Sequence, residues 1–195
     1  LAIEFFHNFT LIHDDIMDDA PLRRGKPTIH TLHGINIGIL SGDALLIKAY
    51  QFFEDLEPEL FKECIKIFSE TGAVLCEGQQ MDMNFELQDL VSEAEYLEMI
   101  RLKTAVLLAA SLAVGGITGG ASEEDINNLY NAGTHIGIAF QLQDDYLDVF
   151  ADTKKFGKEI GNDIVSNKKT YLYIKALNST NKNLTESLTG WINRK

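Results

Sequence analysis

The chain has 195 residues, 45% hydrophobic and 24% charged, with 29 acidic against 17 basic residues and a formal net charge of −12. This is the composition of an ordinary globular domain with a sizeable core, and it excludes a disordered tail. The acidic excess argues against a nucleic-acid partner, which needs a basic face to neutralise phosphates, so an anionic ligand must be met by local cations or metal ions.

In chain order, the first conspicuous segment is LIHDDIMDDAPLRRGKP, Leu11 to Pro27, where closely spaced aspartates give way abruptly to basic residues. Helices are expected almost everywhere, because the only 3 prolines are Pro21, Pro27 and Pro58, near the acidic segment or at a helix start. Strand signals are correspondingly poor. Cys64 and Cys76 lack CxxC or Cys/His spacing and read as buried packing residues in a reducing compartment. Ser92-Glu93-Ala94-Glu95 and Ser122-Glu123-Glu124-Asp125 read as capping boxes, each opening a long helix. Apolar stripes follow: Tyr96, Leu97, Ile100, Val106 and Leu107 after the first, and Ile126, Leu129, Tyr130, Ile136 and Phe140 after the second. The run from Ala105 to Ile117 falls short of the ~20 apolar residues that span a bilayer and reads as a buried helix, so no transmembrane segment is expected. Gly115-Gly116 and Gly119-Gly120 mark a helix–helix connection. No secretory signal is recognisable, and a cytoplasmic location is expected. With no repeat or linker, the expectation is all-α, a single helical bundle.

The acidic residues carry the chemistry. Asp14, Asp15 and Asp18 stand at i, i+1 and i+4, and so do Asp144, Asp145 and Asp148. On a helix, residues four apart share a face, so each trio crowds like charges along one edge. Cations relieve that repulsion, and carboxylates without His or Cys neighbours suit a hard ion such as Mg²⁺, which keeps waters and binds together with substrate phosphates. The alternating ligands of a calcium loop do not fit either trio. Arg23 and Arg24 follow the first trio; Lys154, Lys155, Lys158, Lys168 and Lys169 follow the second. Arginine forks and lysine point charges both suit phosphate oxygens, so the pattern describes a diphosphate pocket.

From Phe5 to Leu172 the chain resembles the trans-type polyprenyl diphosphate synthases, which include the farnesyl and geranylgeranyl diphosphate synthases. LIHDDIMDDAPLRRGKPT is similar to the family's first aspartate-rich motif, RLKTA to its lysine–threonine motif, FQLQDDYLD to its second aspartate-rich motif, and FGKEIGNDIVSNKKT to the loop beyond it, with SGDALL and GQQMD in the family's order. The resemblance implies a helical bundle of the isoprenoid synthase type with its cavity between helices. It implies condensation of isopentenyl diphosphate with an allylic diphosphate (dimethylallyl, geranyl or farnesyl), three Mg²⁺ ions for which Mn²⁺ can substitute, and a homodimer. It also implies roles. Asp14 and Asp18, supported by Asp15, and Asp144 with Asp145 and Asp148 hold the metals. Arg23, Lys103, Lys158 and Lys168 grip the allylic diphosphate, with Lys169 left solvated. Thr104 and Gln141 face the allylic cation, and His7 and Arg24 bind isopentenyl diphosphate. Phe9, one position before the small Thr10 and about 7–8 Å down the helix from Asp14, sets product length with Phe6 behind it, which resembles a C20 producer, with C15 second.

The family's glycine–lysine–x–x–arginine motif has no counterpart here, so residues 1–195 are expected to be a synthase domain lacking N-terminal and C-terminal helices, with weak binding of the second substrate. Class I terpene cyclases share the bundle and one DDxxD, but their second metal motif is of the Asn/Ser/Glu type. Silent partner subunits of heteromeric synthases carry degraded aspartate motifs, whereas both are intact here.

Overall fold

The structure is a computed structural model in which residues 1–150, 161–166, 168–178 and 190 are described. Lys154, Lys155 and Lys158 lie outside the described residues. The elements run α1 (Ala2–Met17), a hairpin of β1 (Leu22–Arg23) and β2 (Lys26–Pro27), α2 (Ile29–His33), α3 (Ile35–Gln51), α4 (Pro58–Glu86), α5 (Glu93–Ile100), a π-helical turn (Arg101–Ala105), α6 (Val106–Thr118), α7 (Glu123–Phe150), α8 (Asn162–Val165) and α9 (Tyr171–Leu177). Apart from the hairpin, the expectation of an all-α chain holds among the described residues. The contacts group into two compact units, Leu1–Gly72 with Ala109–Asn131, and Ala73–Leu108 with the described residues from Ala132 onward.

In the first unit α1 packs along α3. Two glycines permit the approach. A Cβ on Gly42 would overlap the His13 ring, and one on Gly38 would fall 2.8 Å from Ile16 Cδ1. His13 is thereby brought to 3.1 Å from the Ile39 carbonyl, immediately before Asp14. Phe68 is the hub of the core, with the rings of Phe6, Phe53 and Tyr50 at 4.9, 5.0 and 5.1 Å in edge-on or T-shaped contacts. On α3, Ile35, Ile37, Leu40 and Ile47 remain exposed.

In the second unit Phe85, Val91, Tyr96, Met99, Ile100 and Ile174 form one apolar cluster. The Ser92 capping box forms as expected, with the Ser92 oxygen accepting the Glu95 N–H and Glu95 accepting the Ser92 N–H. The second box, in the first unit, forms only halfway. Ser122 accepts the Asp125 N–H, but Asp125 takes the serine hydroxyl.

Three expectations need correction. Cys64 is buried, but Cys76 is exposed: the inward stripe of this part of α4 is Thr71, Leu75, Gly78 and Asp82, and Cys76 stands one residue off it. Ile136 and Phe140 are exposed, because the buried edge of α7 beyond Gly133 is Gly137, Asp145 and Asp148. A small-then-polar edge is invisible to a search for apolar periodicity. Finally, the apolar run from Ala105 is part of a longer helical stretch, Glu93–Thr118, which is long and apolar enough by composition to cross a membrane; 56% of its most apolar window is nevertheless buried within the protein. Ala105, Ala109, Ala110 and Ala113 are fully enclosed, while Leu112 is exposed.

Candidate active site

Both aspartate trios stand at the C-terminal ends of helices, α1 ending at Met17 and α7 at Phe150, and neither helix has a basic residue in its last turn. A helix C-terminus carries about half a negative charge and disfavours carboxylates there by about 0.3–1 kcal/mol each. Asp14, Asp15 and Asp18 stand in or next to the last turn of α1 and Asp148 in that of α7, with Asp144 repelling Asp148 from one turn before, so both helix ends are arranged against helix stability and in favour of cations.

Asp18 caps α1, accompanied by a bond from its N–H to the Asp14 carbonyl at 2.9 Å. The chain then reverses in a Schellman motif. The Ala20 N–H bonds the Asp15 carbonyl at 2.9 Å and the Asp19 N–H bonds the Ile16 carbonyl at 3.3 Å, with Asp19 at φ 48° where glycine is usual. The reversal leads into the hairpin, whose register pairs Leu22 with Pro27 and Arg23 with Lys26 around Arg24 (φ 53°) and Gly25 (φ 72°). Two left-handed residues in a two-residue loop make a primed turn suited to strand twist. Its result is that Arg23 folds back onto α1, with Nε and Nη2 each 2.8 Å from Asp15 Oδ1 and Nη2 3.6 Å from Asp14, while Arg24 points to solvent. Asp15 is buried beneath that guanidinium and so supports Arg23. Upstream on α1, Phe6 is buried, Phe9 meets it edge-on at 5.5 Å and His13 at 4.8 Å, and the Thr10 hydroxyl bonds the His7 carbonyl at 2.8 Å. His7 is half-buried.

In the second unit the lysine–threonine segment adopts the π-helical turn, a one-turn defect that is frequent at functional sites and shifts side chains out of α register. Two glycines close on it: a Cβ on Gly78 of α4 would overlap the Lys103 backbone N, and one on Gly137 of α7 would overlap Ala105. Lys103 is aimed at Asp82 Oδ2, at 2.6 Å, and Lys168 reaches the same oxygen at 3.2 Å and Glu86 at 3.0 Å. Burial works to raise the Asp82 carboxyl, yet the two lysines outweigh it and hold the group below the ordinary aspartate range. Lys169, expected to be solvated, is buried, with its ammonium 5.3 Å from the Tyr173 ring centroid.

The Thr104 hydroxyl donates to Gln141 Oε1 at 3.0 Å, and Gln141 Nε2 donates to Asp145 Oδ1 at 3.3 Å. Asp145 Oδ2 accepts from the Tyr96 hydroxyl at 2.5 Å and from the Tyr171 N–H at 2.9 Å. Asp148 accepts the Asp163 N–H at 3.3 Å, and its carbonyl accepts the Gly161 N–H at 2.8 Å. Burial, then Asp148, Asp145 and Asp144, push the Asp163 carboxyl up to about 7. This is a local surplus of negative charge that a divalent cation would relieve, so the donor set fits a hard ion. Among the described residues no three His, Cys, Asp or Glu side chains converge into a site that could hold a metal by themselves.

Sequence reading passed over Asp82, Asp163, the hydroxyl of Tyr96 and the glycine pair Gly78 and Gly137. GQQMD and GNDIVSNKKT contain three of these positions, but only distances show what they touch.

The sequence profile described as polyprenyl synthetase matches residues 1–195. A short chain isoprenyl diphosphate synthase from Methanothermobacter thermautotrophicus is 45% identical over 188 residues, 96% of this chain and 58% of that protein. A geranylgeranyl diphosphate synthase from Sulfolobus acidocaldarius is 44% identical over 180 residues, 90% of this chain and 54% of that protein. The crystal structure of a geranylgeranyl pyrophosphate synthase superposes with a TM-score of 0.93 at 52% identity, covering 97% of this chain and 57% of that one. The chain thus spans 54–58% of the length of the two curated relatives. A profile matched from the first residue to the last, on a backbone shared with a solved synthase, leaves one assignment: the chain belongs to the polyprenyl synthetase family and has its all-α isoprenoid synthase fold.

Proposed function

We propose that the whole protein is a Mg²⁺-dependent prenyltransferase that joins an allylic diphosphate to isopentenyl diphosphate and releases an all-trans prenyl diphosphate, C20 in preference to C15. The observation that carries this reading is the convergence, within one unit, of two lysines on Asp82, of the uncharged dipoles Thr104 and Gln141, and of a carboxylate-lined helix end. Ionisation of an allylic diphosphate needs those three elements together: cations for the leaving group, oxygen dipoles for the carbocation, and carboxylates for the metal.

On this reading Asp14, Asp18, Asp144 and Asp148 hold up to three Mg²⁺ ions, or Mn²⁺ in their place. When bound, Mg²⁺ supplies positive charge to the departing diphosphate. Asp15 and Asp145 act behind them, Asp15 through Arg23 and Asp145 through Gln141. Lys103 and Lys168 exchange the Asp82 carboxylate for diphosphate oxygens, and Lys158 and Arg23 join them. Thr104 and Gln141 turn oxygen lone pairs toward the allylic carbon as it becomes positive, which stabilises the cation without trapping it covalently. The double bond of isopentenyl diphosphate, held by His7 and Arg24, attacks that carbon, and a proton then leaves the new carbocation for the released diphosphate. Phe9, backed by Phe6 and followed by the small Thr10, stops the growing chain. A cytoplasmic homodimer completes the proposal, supported by the exposed apolar residues of α3.

The deciding experiment is a product assay on full-length protein with isopentenyl diphosphate, each allylic diphosphate in turn, and Mg²⁺. A C20 product is expected. Cyclised hydrocarbon would mean a terpene cyclase, and no turnover until a second subunit is added would mean a silent partner.

A further inference from the structure

Tyr96 occupies an apolar position. It is 2% exposed, on α5, in one cluster with Phe85, Val91, Met99, Ile100 and Ile174. A phenylalanine would fill that volume, and the reaction described above makes no use of a phenol there. Yet the hydroxyl is directed at Asp145 Oδ2, 2.5 Å away, on the same oxygen that accepts the Tyr171 N–H.

The consequence lies on the other carboxylate oxygen. An ionised carboxylate accepts hydrogen bonds and donates none. With Oδ2 taken from two sides, Oδ1 faces Gln141, and only the NH₂ end of that amide can meet it, as it does at 3.3 Å. The amide oxygen must then point the opposite way, onto the Thr104 hydroxyl at 3.0 Å. A glutamine amide is nearly symmetric in shape and would otherwise turn over at little steric cost. If this one turned over, its oxygen would oppose Asp145, and its N–H dipoles would face the place where Thr104 and Gln141 act.

We propose that Tyr96 is a positioning residue for the prenyl-transfer site: its phenol pins the Asp145 carboxylate, and the pinned carboxylate fixes the Gln141 amide with its oxygen toward Thr104. The chain of hydrogen bonds follows from geometry alone; its effect on rate rests on the function proposed above.

The test uses Tyr96→Phe, Gln141→Ala and the double variant. Tyr96→Phe is expected to lower kcat about tenfold, equivalent to one lost interaction of ~1.4 kcal/mol, while both KM values stay within about twofold. Because Tyr96 acts through Gln141, the double variant should be no slower than Gln141→Ala within about twofold. A second arm needs no substrate or metal. The side-chain amide signals of Gln141, assigned by their loss in Gln141→Glu, should be dispersed and slow to exchange in the parent protein and should move toward free-glutamine positions in Tyr96→Phe. If Tyr96→Phe does not fold, Asp145→Asn asks the same question: its own amide can donate to Gln141 Oε1, so the Gln141 signals should report a turned amide. Rate losses that multiply in the double variant, or Gln141 signals unmoved in a folded Tyr96→Phe or Asp145→Asn, would overturn the proposal. An inactive parent enzyme would sink the assigned reaction, and the amide signals would still decide whether Tyr96 fixes Gln141.

Discussion

Lys103 on the π-helical turn and Asp82 on α4 form a contact of 2.6 Å, and Lys168 shares the same carboxylate oxygen. Removing the shared charge leaves two lysines facing a neutral amide in place of their common carboxylate, so Asp82→Asn should cost about 2–3 kcal/mol. The Asp82 carboxyl is depressed in the folded state, so its contribution is present above the unfolded aspartate value near pH 4 and is lost as pH falls through the lower folded value. Urea unfolding from pH 7 to pH 2 should show a shallower acid limb in Asp82→Asn than in the parent protein.

The aspartates at helix ends predict opposite effects on stability and turnover. Without metal, Asp144→Asn removes one member of the like-charge pair with Asp148, four residues on, and lessens the repulsion on the Asp163 carboxyl, so it should stabilise the protein by about 0.2–0.5 kcal/mol. With Mg²⁺ and substrates the same change, or Asp14→Ala, should lower turnover by at least about 100-fold. Differential scanning calorimetry and the product assay read the two effects. Excess chelator should abolish allylic diphosphate binding in titration calorimetry, and tight binding under chelation would sink the metal role.

Gly137→Ala and Gly78→Ala should each destabilise the protein by about 1–3 kcal/mol or more, because their new methyl groups meet the backbone of the π-helical turn, which has no room to yield. Gly120→Ala is the control. No atom lies within 4 Å of its added Cβ, and only φ 74° is strained, at about 1 kcal/mol. Equal Tm losses in all three variants would show that crowding against the turn is not the cause.

The Asp163 carboxyl is raised to about 7 by burial and by Asp148, Asp145 and Asp144. A folded value above the unfolded one means that the native state holds an extra proton between about pH 4 and 7, so this group's contribution to stability falls as pH rises through that window. Mg²⁺ with a diphosphate analogue should move the midpoint down by offsetting the same repulsion. Carboxyl-carbon NMR of Asp163 with and without Mg²⁺ reads the midpoint, and one that stays put on loading would remove this aspartate from the metal's surroundings.

Chain length should answer to α1. Phe9 stands edge-on between Phe6 and His13, so Phe9→Ala should open the floor and lengthen the product by one or more C5 units, whereas Thr10→Phe should shorten it. Chromatography of the hydrolysed products gives the distribution; an unchanged profile in both variants would leave the C20 assignment without support.

Spacing alone was enough to read the helices, the Ser92 capping box and the two aspartate trios, because helical periodicity and capping are local properties of the chain. The same locality explains what stayed hidden. Asp82 and Tyr96 occupy ordinary helix positions until Lys103, Lys168 and Asp145 arrive from segments 21, 86 and 49 residues away. The hairpin escaped notice because it depends on Arg24 taking a left-handed conformation that arginine rarely adopts, and the π-helical turn because it is gripped by Gly78 and Gly137 from two other helices. Sequence determined which charges the chain carries and their spacing along each helix; tertiary structure decided which of them meet an arginine, as Asp15 does, which meet a lysine, as Asp82 does, and which, like Asp145, are held by a phenol and a backbone N–H, since that depends on side chains meeting across elements.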